Sequence, residues 1–258
     1  LEVDVVDIRE ALGLPDLLAV RTVVCVQPHP DDNEVGAAGT LLELVGRGCE
    51  VVYVTVTDGG AGAFGEVTER SVLVALRSQE LLEAGAVVGV RRQVALGFPD
   101  GGDYTEEQVR DKLVEVFREV RPEIVMTVDP WMPYEAHPDH IKTGLAVARA
   151  AMFCDNAVLY PVSDQPLWSV SQVAFYASSH PNTFVDVSVH WQDKARAMLA
   201  HKSQFDNAQW PVLWGYLSMS AKTLFDQHLP GAASSGYAEA FKLLATRQLH
   251  FYPSAIYE

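Results

Sequence analysis

The chain has little cysteine. Cys25, Cys49 and Cys154 are spread over 258 residues, and no two form a C-x-x-C pair. An odd, sparse set does not make a disulfide framework. Cys25, inside an apolar strand-like run, reads as a small buried thiol. Basic side chains are also scarce, 19 Lys and Arg against 34 Asp and Glu, for a net charge of −15. Such a surface repels phosphate backbones and anionic lipid, which argues against nucleic acid and membrane as partners. Its simplest consequence is solubility. No apolar run reaches the ~18 residues of a membrane span, and no leader-like segment opens the stretch at Leu1. A reducing cytoplasm is therefore the expected compartment. Linkers, internal repeats and low-complexity stretches are lacking too. One domain over residues 1–258 is expected, with a core over about 20–205 and a C-terminal extension over about 206–258.

What is present is alternation. Short β-branched runs over 22–26, 50–57, 93–98 and 123–128 predict strands, and 36–48, 69–88, 106–120 and 140–153 predict helices. The nearly continuous apolar run at 50–57 suits a strand covered on both faces. This order implies right-handed crossovers and an α/β fold. The expected form is a Rossmann-like three-layer fold: a mostly parallel sheet, helices on both faces and an elaborated C-terminal part. In that part the pattern weakens. Strands over 173–177 and 184–187, a helix over 191–203, a loop over 229–237 and a last helix over 239–247 are expected.

Two segments carry chemistry. Pro28-His29-Pro30-Asp31-Asp32 follows the first predicted strand, and His137-Pro138-Asp139-His140 follows the fourth. Sites in such folds form at the C-terminal ends of strands, so both segments belong on one rim of one sheet. His29, Asp32 and His140 make an imidazole–carboxylate–imidazole set that leaves positions open at a divalent metal. Zn²⁺ suits that set, and Fe²⁺, Co²⁺ and Mn²⁺ can use the same ligands. Asp31 is then a spare carboxylate beside the metal, the natural general base. His137 can stabilise an oxyanion or protonate a leaving group. Asp139 can fix the tautomer of a neighbouring imidazole. One His-Pro-Asp alone is a common turn fragment; two in this context are not.

Together with Thr57-Asp58-Gly59 and Arg77-x-x-Glu80, these segments resemble the PIG-L/LmbE-like zinc-dependent de-N-acetylases in order and spacing, over roughly residues 20–205. Residues 130–137 and 200–205 further resemble the diacetylchitobiose deacetylase branch. The resemblance implies one Zn²⁺ per chain on His29, Asp32 and His140, with Asp31 as base and His137 as the electrostatic or acid residue. It places Arg77 and Asp100 where relatives contact substrate, and it marks His201, in a recurring His-x-Ser-Gln-Phe segment, as a further site candidate. Trp131, directly after the fourth strand, is a candidate for stacking on a sugar face, as are Tyr104 and Tyr134. The implied substrate is a small acetylated amino sugar such as an N-acetylglucosamine conjugate, or a natural-product amide, and the implied assembly is a homo-oligomer, trimer or hexamer. One departure is visible: Asn33 separates the Asp pair from Glu34, where the commonest motif has Glu directly. That change bears on the wider pocket and hence on the substrate.

Two rival functions are weaker. Residues 60–65 match G-x-G-x-x-G, a dinucleotide-binding pattern, but they follow the second strand and lead into a poor helix start. A catalytically inactive sugar-binding module would not need the spare carboxylate of Asp31.

Overall fold

The computed structural model describes residues 8–62, 69–161, 165–229, 231 and 235–257. Its strands are β1 (Thr22–Gln27), β2 (Glu50–Thr57), β3 (Arg92–Phe98), β4 (Ile124–Val128), β5 (Gln172–Tyr176), β6 (Thr183–Asp186) and β7 (Ala238–Ala245). They form a 7-stranded sheet in the order β3-β2-β1-β4-β5-β7-β6. The strands β1 to β5 run parallel, and β7 lies antiparallel between β5 and β6. The helices are α1 (Ile8–Ala11), α2 (Asp32–Gly46), α3 (Arg70–Val88), α4 (Glu106–Val120), α5 (Pro138–Phe153), α6 (Trp191–Ala200), α7 (Lys202–Phe205) and α8 (Trp210–His228).

The two-residue period of a strand explains the apolar runs. Val23, Cys25, Val51, Tyr53, Ile124 and Met126 pack with Leu41 of α2, Leu81 of α3 and Ala197 of α6. Their neighbours Val24, Val26, Val52, Val54 and Val125 pack with Leu113 and Phe117 of α4 and Val147 of α5. Residues alternating in sequence thus feed two cores, one on each face, and these strands have no polar side. Each fully buried Val or Leu contributes roughly 1.5–3 kcal/mol, so this division carries much of the fold.

Helix ends follow local chemistry where it is strong. Thr105 and Gln108 form a reciprocal capping box that starts α4. Helix α3 stops at Gly89, whose φ of +88° is left-handed. Two starts differ from expectation. Helix α2 begins at Asp32 and α5 at Pro138, because each His-Pro-Asp segment runs straight into its helix, with Asp31 and His137 at the N-caps. Pro138 fits there, since a helix's first position needs no N–H donor.

The C-terminal part corrects the sequence reading most. The helix expected over 239–247 is instead β7. Its Glu, Ala, Lys and Leu favour helix in isolation, but this slot pairs it with strands on both edges. Phe241 and Leu243 enter one core and Leu244 the other. The helix expected over 191–203 breaks at His201, and α8 was not foreseen. Part of the loop expected over 229–237 lies outside the described residues.

Glu239 of β7 is buried, yet accepts hydrogen bonds from the backbone N–H groups of Gly39 (3.0 Å) and Thr40 (2.7 Å) and from Lys194 (2.5 Å). Lys194 also donates to the Val35 carbonyl at 2.7 Å. Removing one partner of such a pair strands the other charge. Lys194→Ala should therefore lose about 3–5 kcal/mol in urea unfolding; a loss under about 1 kcal/mol, the scale of an exposed pair, would mean that the pair is solvated.

Candidate active site

Strands β1 and β4 are neighbours, with Val23 opposite Ile124 and Cys25 opposite Met126. The chain passes from β1 toward β2 and β3, and from β4 toward β5, so the strand order reverses between them. Loops leaving the two strands diverge there and open a crevice. Both His-Pro-Asp segments stand at this point.

His29 Nδ1 lies 3.2 Å from Asp32 Oδ2, and His140 Nε2 lies 3.6 Å from Asp32 Oδ1. The ligand-capable atoms of His29, Asp32 and His140 are all within 4.8 Å of one another. A second group, His29, Asp100, His137 and Asp139, is equally close. Its oxygens are already engaged. Asp139 accepts from the Gly101 N–H (2.8 Å) and the Tyr104 hydroxyl (2.7 Å), and Asp100 accepts from the Ala61 N–H (2.9 Å). They also contact His29 Nε2, 3.3 Å from Asp100 Oδ1 and 3.4 Å from Asp139 Oδ2, and Lys142 Nζ lies 3.9 Å from Asp139 Oδ1. The second group therefore orients His29; in the first, Asp32 Oδ2 accepts the His29 backbone N–H at 2.8 Å, and Asp32 Oδ1 and His140 Nε2 face each other at 3.6 Å.

The imidazoles and carboxylates of the two groups set one another's charge. Burial works against charge on His29, but hydrogen bonds to Asp100, Asp139 and Asp32 push its pKa up to about 12. Asp32 is held below the usual carboxylate range: burial opposes this, and hydrogen bonding and charge from His29 overcome it. Asp139 is lowered likewise by His29, Gly101 and Tyr104 against burial. The two imidazoles and one carboxylate of the first group supply the coordinating atoms that a divalent ion takes.

Asp31 precedes the first turn of α2 with φ 140° and ψ −21°, a conformation that costs a non-glycine residue of order 1–3 kcal/mol. Its carboxyl is pushed up to about 7, chiefly by burial, with Asp32 adding and Arg77 opposing. Arg77, expected at a substrate position, is only 2% exposed and braces this turn. Its Nη2 donates to Asp31 Oδ2 and the Pro30 carbonyl, both at 2.9 Å, and its Nη1 donates to the Gly59 carbonyl at 2.9 Å. Gly59 sits at φ +67°, and a Cβ there would come within 2.9 Å of Pro30 and 3.1 Å of the guanidinium.

His137 is exposed at the N-cap of α5, and its Nδ1 accepts the Asp139 N–H at 3.3 Å. The ring proton therefore sits on Nε2 when the imidazole is neutral. His29, Asp31, Ala61, Gly62, Arg77, Asp100, Gly101, His137 and Gln204 line one cavity of about 270 Å³. Of the matched glycine-rich stretch, only Gly60, Ala61 and Gly62 are described; residues 63–65 lie outside the described residues.

His201 does not face this cavity. It is fully buried, with Nε2 3.2 Å from Glu34 Oε2. Trp131 is half exposed and stands against Phe175 in a different cavity of about 500 Å³. Tyr134 is fully exposed, whereas Tyr104 is buried on Asp139. The sequence reading missed Glu135, 3.0 Å from His140 Nδ1, whose signal was a carboxylate five residues before a ligand candidate. It also missed Gln204, which donates to the Gly62 carbonyl at 2.8 Å, and Ser203, whose hydroxyl donates to Glu80 at 2.6 Å.

Comparison with known proteins finds relatives over most of the chain. The family profile described as PIG-L: GlcNAc-PI de-N-acetylase matches residues 24–151. The diacetylchitobiose deacetylase of Thermococcus kodakarensis is 37% identical over 92% of this chain and 88% of its own. A probable N-acetyl-alpha-D-glucosaminyl L-malate deacetylase 2 of Bacillus anthracis is 32% identical over 72% of this chain and 82% of its own. The N,N'-diacetylchitobiose deacetylase structure from Pyrococcus horikoshii, complexed with its inhibitor MPG, superposes with a TM-score of 0.83 at 31% identity, covering 95% of this chain and 92% of that one.

A double-mutant cycle tests the brace on Asp31. Arg77→Lys keeps the charge but not the planar fork. Combined with Asp31→Asn, it should show a coupling of about 0.5–3 kcal/mol in urea unfolding. Zero coupling would mean that Arg77 holds only the backbone.

Proposed function

Because the chain belongs to the PIG-L de-N-acetylase family, we propose that it is a metal-dependent hydrolase that removes the acetyl group from the amide nitrogen of an N-acetylglucosamine-type sugar or glycoconjugate. The observation that carries this reading is the convergence of His29, Asp32 and His140 at the strand-order reversal, with Asp31 beside them as a carboxylate outside that ligand set, held by Arg77. The names of the relatives agree on an acetylated amino sugar. The cavity agrees as well: it is small, and Asp31, Asp100, Arg77 and Gln204 give it polar walls suited to hydroxyl groups.

His29 Nδ1, Asp32 and His140 Nε2 would hold the ion, and their N₂O donor set suits zinc. Bound there, a divalent ion supplies Lewis acidity that makes hydroxide accessible near neutral pH. The chain's own groups supply the rest. Asp31, held by Arg77, takes the proton of the attacking water. The His137 Nε2–H faces the developing oxyanion. Hydroxide adds to the acyl carbon, the C–N bond breaks, and the proton on Asp31 passes to the departing amine. Acetate and a free amino sugar result. Asp139 and Asp100 take no proton; they keep the His29 ring oriented through Nε2.

Asp31→Ala should retain one metal per chain and lose about 10²–10⁴-fold in turnover, the usual worth of a general base. The measurements are metal analysis and acetate release from N-acetylglucosamine, diacetylchitobiose and N-acetylglucosaminyl conjugates. Normal turnover by that variant would sink the assignment of the base. Chelation should abolish release and Zn²⁺ restore it. Release from none of these sugars would favour a natural-product amide as the substrate.

A further inference from the structure

We propose that Glu135 is a positioning residue for the metal centre, holding the His140 imidazole in the orientation that presents Nε2. This rests on the assignment of His29, Asp32 and His140 as ligands. Glu135 Oε2 lies 3.0 Å from His140 Nδ1, while His140 Nε2 lies 3.6 Å from Asp32 Oδ1. One ring nitrogen faces the donor cluster and the other faces a carboxylate. With its proton on Nδ1, donated to Glu135, the ring turns a lone pair toward the cluster. A carboxylate in this place fixes the tautomer and raises the basicity of the coordinating nitrogen.

The other oxygen of Glu135 works on the same turn. Oε1 accepts the backbone N–H of His137 at 2.8 Å. One side chain thus links the backbone of the residue facing the oxyanion to the ring of the ligand three residues later. The loop is bent to deliver it. Tyr134 adopts φ +69°, left-handed backbone that a tyrosine rarely takes, and its own side chain is fully exposed. The strain is therefore not explained by anything the tyrosine ring packs against. The Glu135 N–H donates to the Met132 carbonyl at 3.2 Å and closes the turn. A carboxylate that served only the positive end of α5 would need the backbone contact alone.

The arrangement also completes a pattern. His29 has its outward nitrogen on Asp100 and Asp139, and His140 has its outward nitrogen on Glu135. The two imidazoles are held through different nitrogens, His29 through Nε2 and His140 through Nδ1, by different carboxylates. Losing Glu135 frees one ligand and leaves the other in place.

The test uses the full chain with Glu135→Gln and Glu135→Ala. Stripped protein is titrated with Zn²⁺ against a competing chelator, and acetate release is followed at limiting and at saturating Zn²⁺. Glu135→Ala should weaken Zn²⁺ binding about 10–100-fold, the usual effect of removing such a partner. Glu135→Gln, which keeps an oxygen for the His137 N–H, should fall between it and the parent protein. Activity lost at limiting Zn²⁺ should return in part at saturation. Parent-like Zn²⁺ affinity in Glu135→Gln would overturn the proposal, since the backbone contact would then be its whole role; that variant also serves if the alanine form does not fold. A parent chain whose Zn²⁺ binding is indifferent to His29→Ala and Asp32→Ala would instead bring down the ligand assignment itself.

Discussion

The imidazole of His29 is shared by every part of the site. Its Nδ1 lies against Asp32 and its Nε2 against Asp100 and Asp139. Burial works against charge on the ring, and hydrogen bonds to three carboxylates outweigh it and raise the pKa. The same carboxylates have their own requirements. Asp139 needs the Gly101 N–H and the Tyr104 hydroxyl, and Asp100 needs the Ala61 N–H. The loops after β2 and β3 are therefore folded onto the loop after β1 by one hydrogen-bonded set. An unpaired buried carboxylate is expensive, so the set forms as a whole. Asp58 extends it, accepting from the Gly60 and Asp100 N–H groups and from Arg70.

A second constraint enters from the far end of the sequence. His201, Ser203 and Gln204 contact Glu34 of α2, Glu80 of α3 and the Gly62 carbonyl. Glu80 lies one helical turn beyond Arg77, so α3 faces the site with one row of residues. Arg77 braces the strained Asp31, and Glu80 seats the 201–204 segment. The break between α6 and α7 at His201 puts that imidazole in the core and Gln204 in the cavity wall. The segment is thus a wall of the site although it lies beyond the residues that the family profile matches.

Much of this was legible in the chain. The parallel half of the sheet followed from apolar runs of strand length, because alternate residues feed two cores and both must be apolar. Helix α4 was readable to its ends, since Thr105 and Gln108 cap it locally. The meeting of His29, Asp32 and His140 was readable because they sit in two short segments that follow neighbouring strands. Strand β7 was not readable. Its residues prefer helix, and only the open slot between β5 and β6 makes them a strand. Trp131 was reasoned to the rim and lies in a different cavity, since which way a loop side chain turns is not a property of its neighbours in sequence. Glu135 was overlooked for a related reason: its importance comes from the left-handed turn at Tyr134.

The sequence by itself determined the strand–helix alternation, the two cores and the inventory of imidazoles and carboxylates. Those follow from short-range periodicity and from side-chain chemistry that any environment would preserve. Only the tertiary structure decided which carboxylates are engaged by N–H and O–H donors and which are open, which nitrogen of each imidazole faces the cluster, and that Arg77 braces Asp31 from inside. These are outcomes of donor–acceptor geometry among residues far apart in the chain, 167 positions between Glu34 and His201. A hydrogen bond is set by tenths of an ångström and by direction, and neither is written in spacing along a chain.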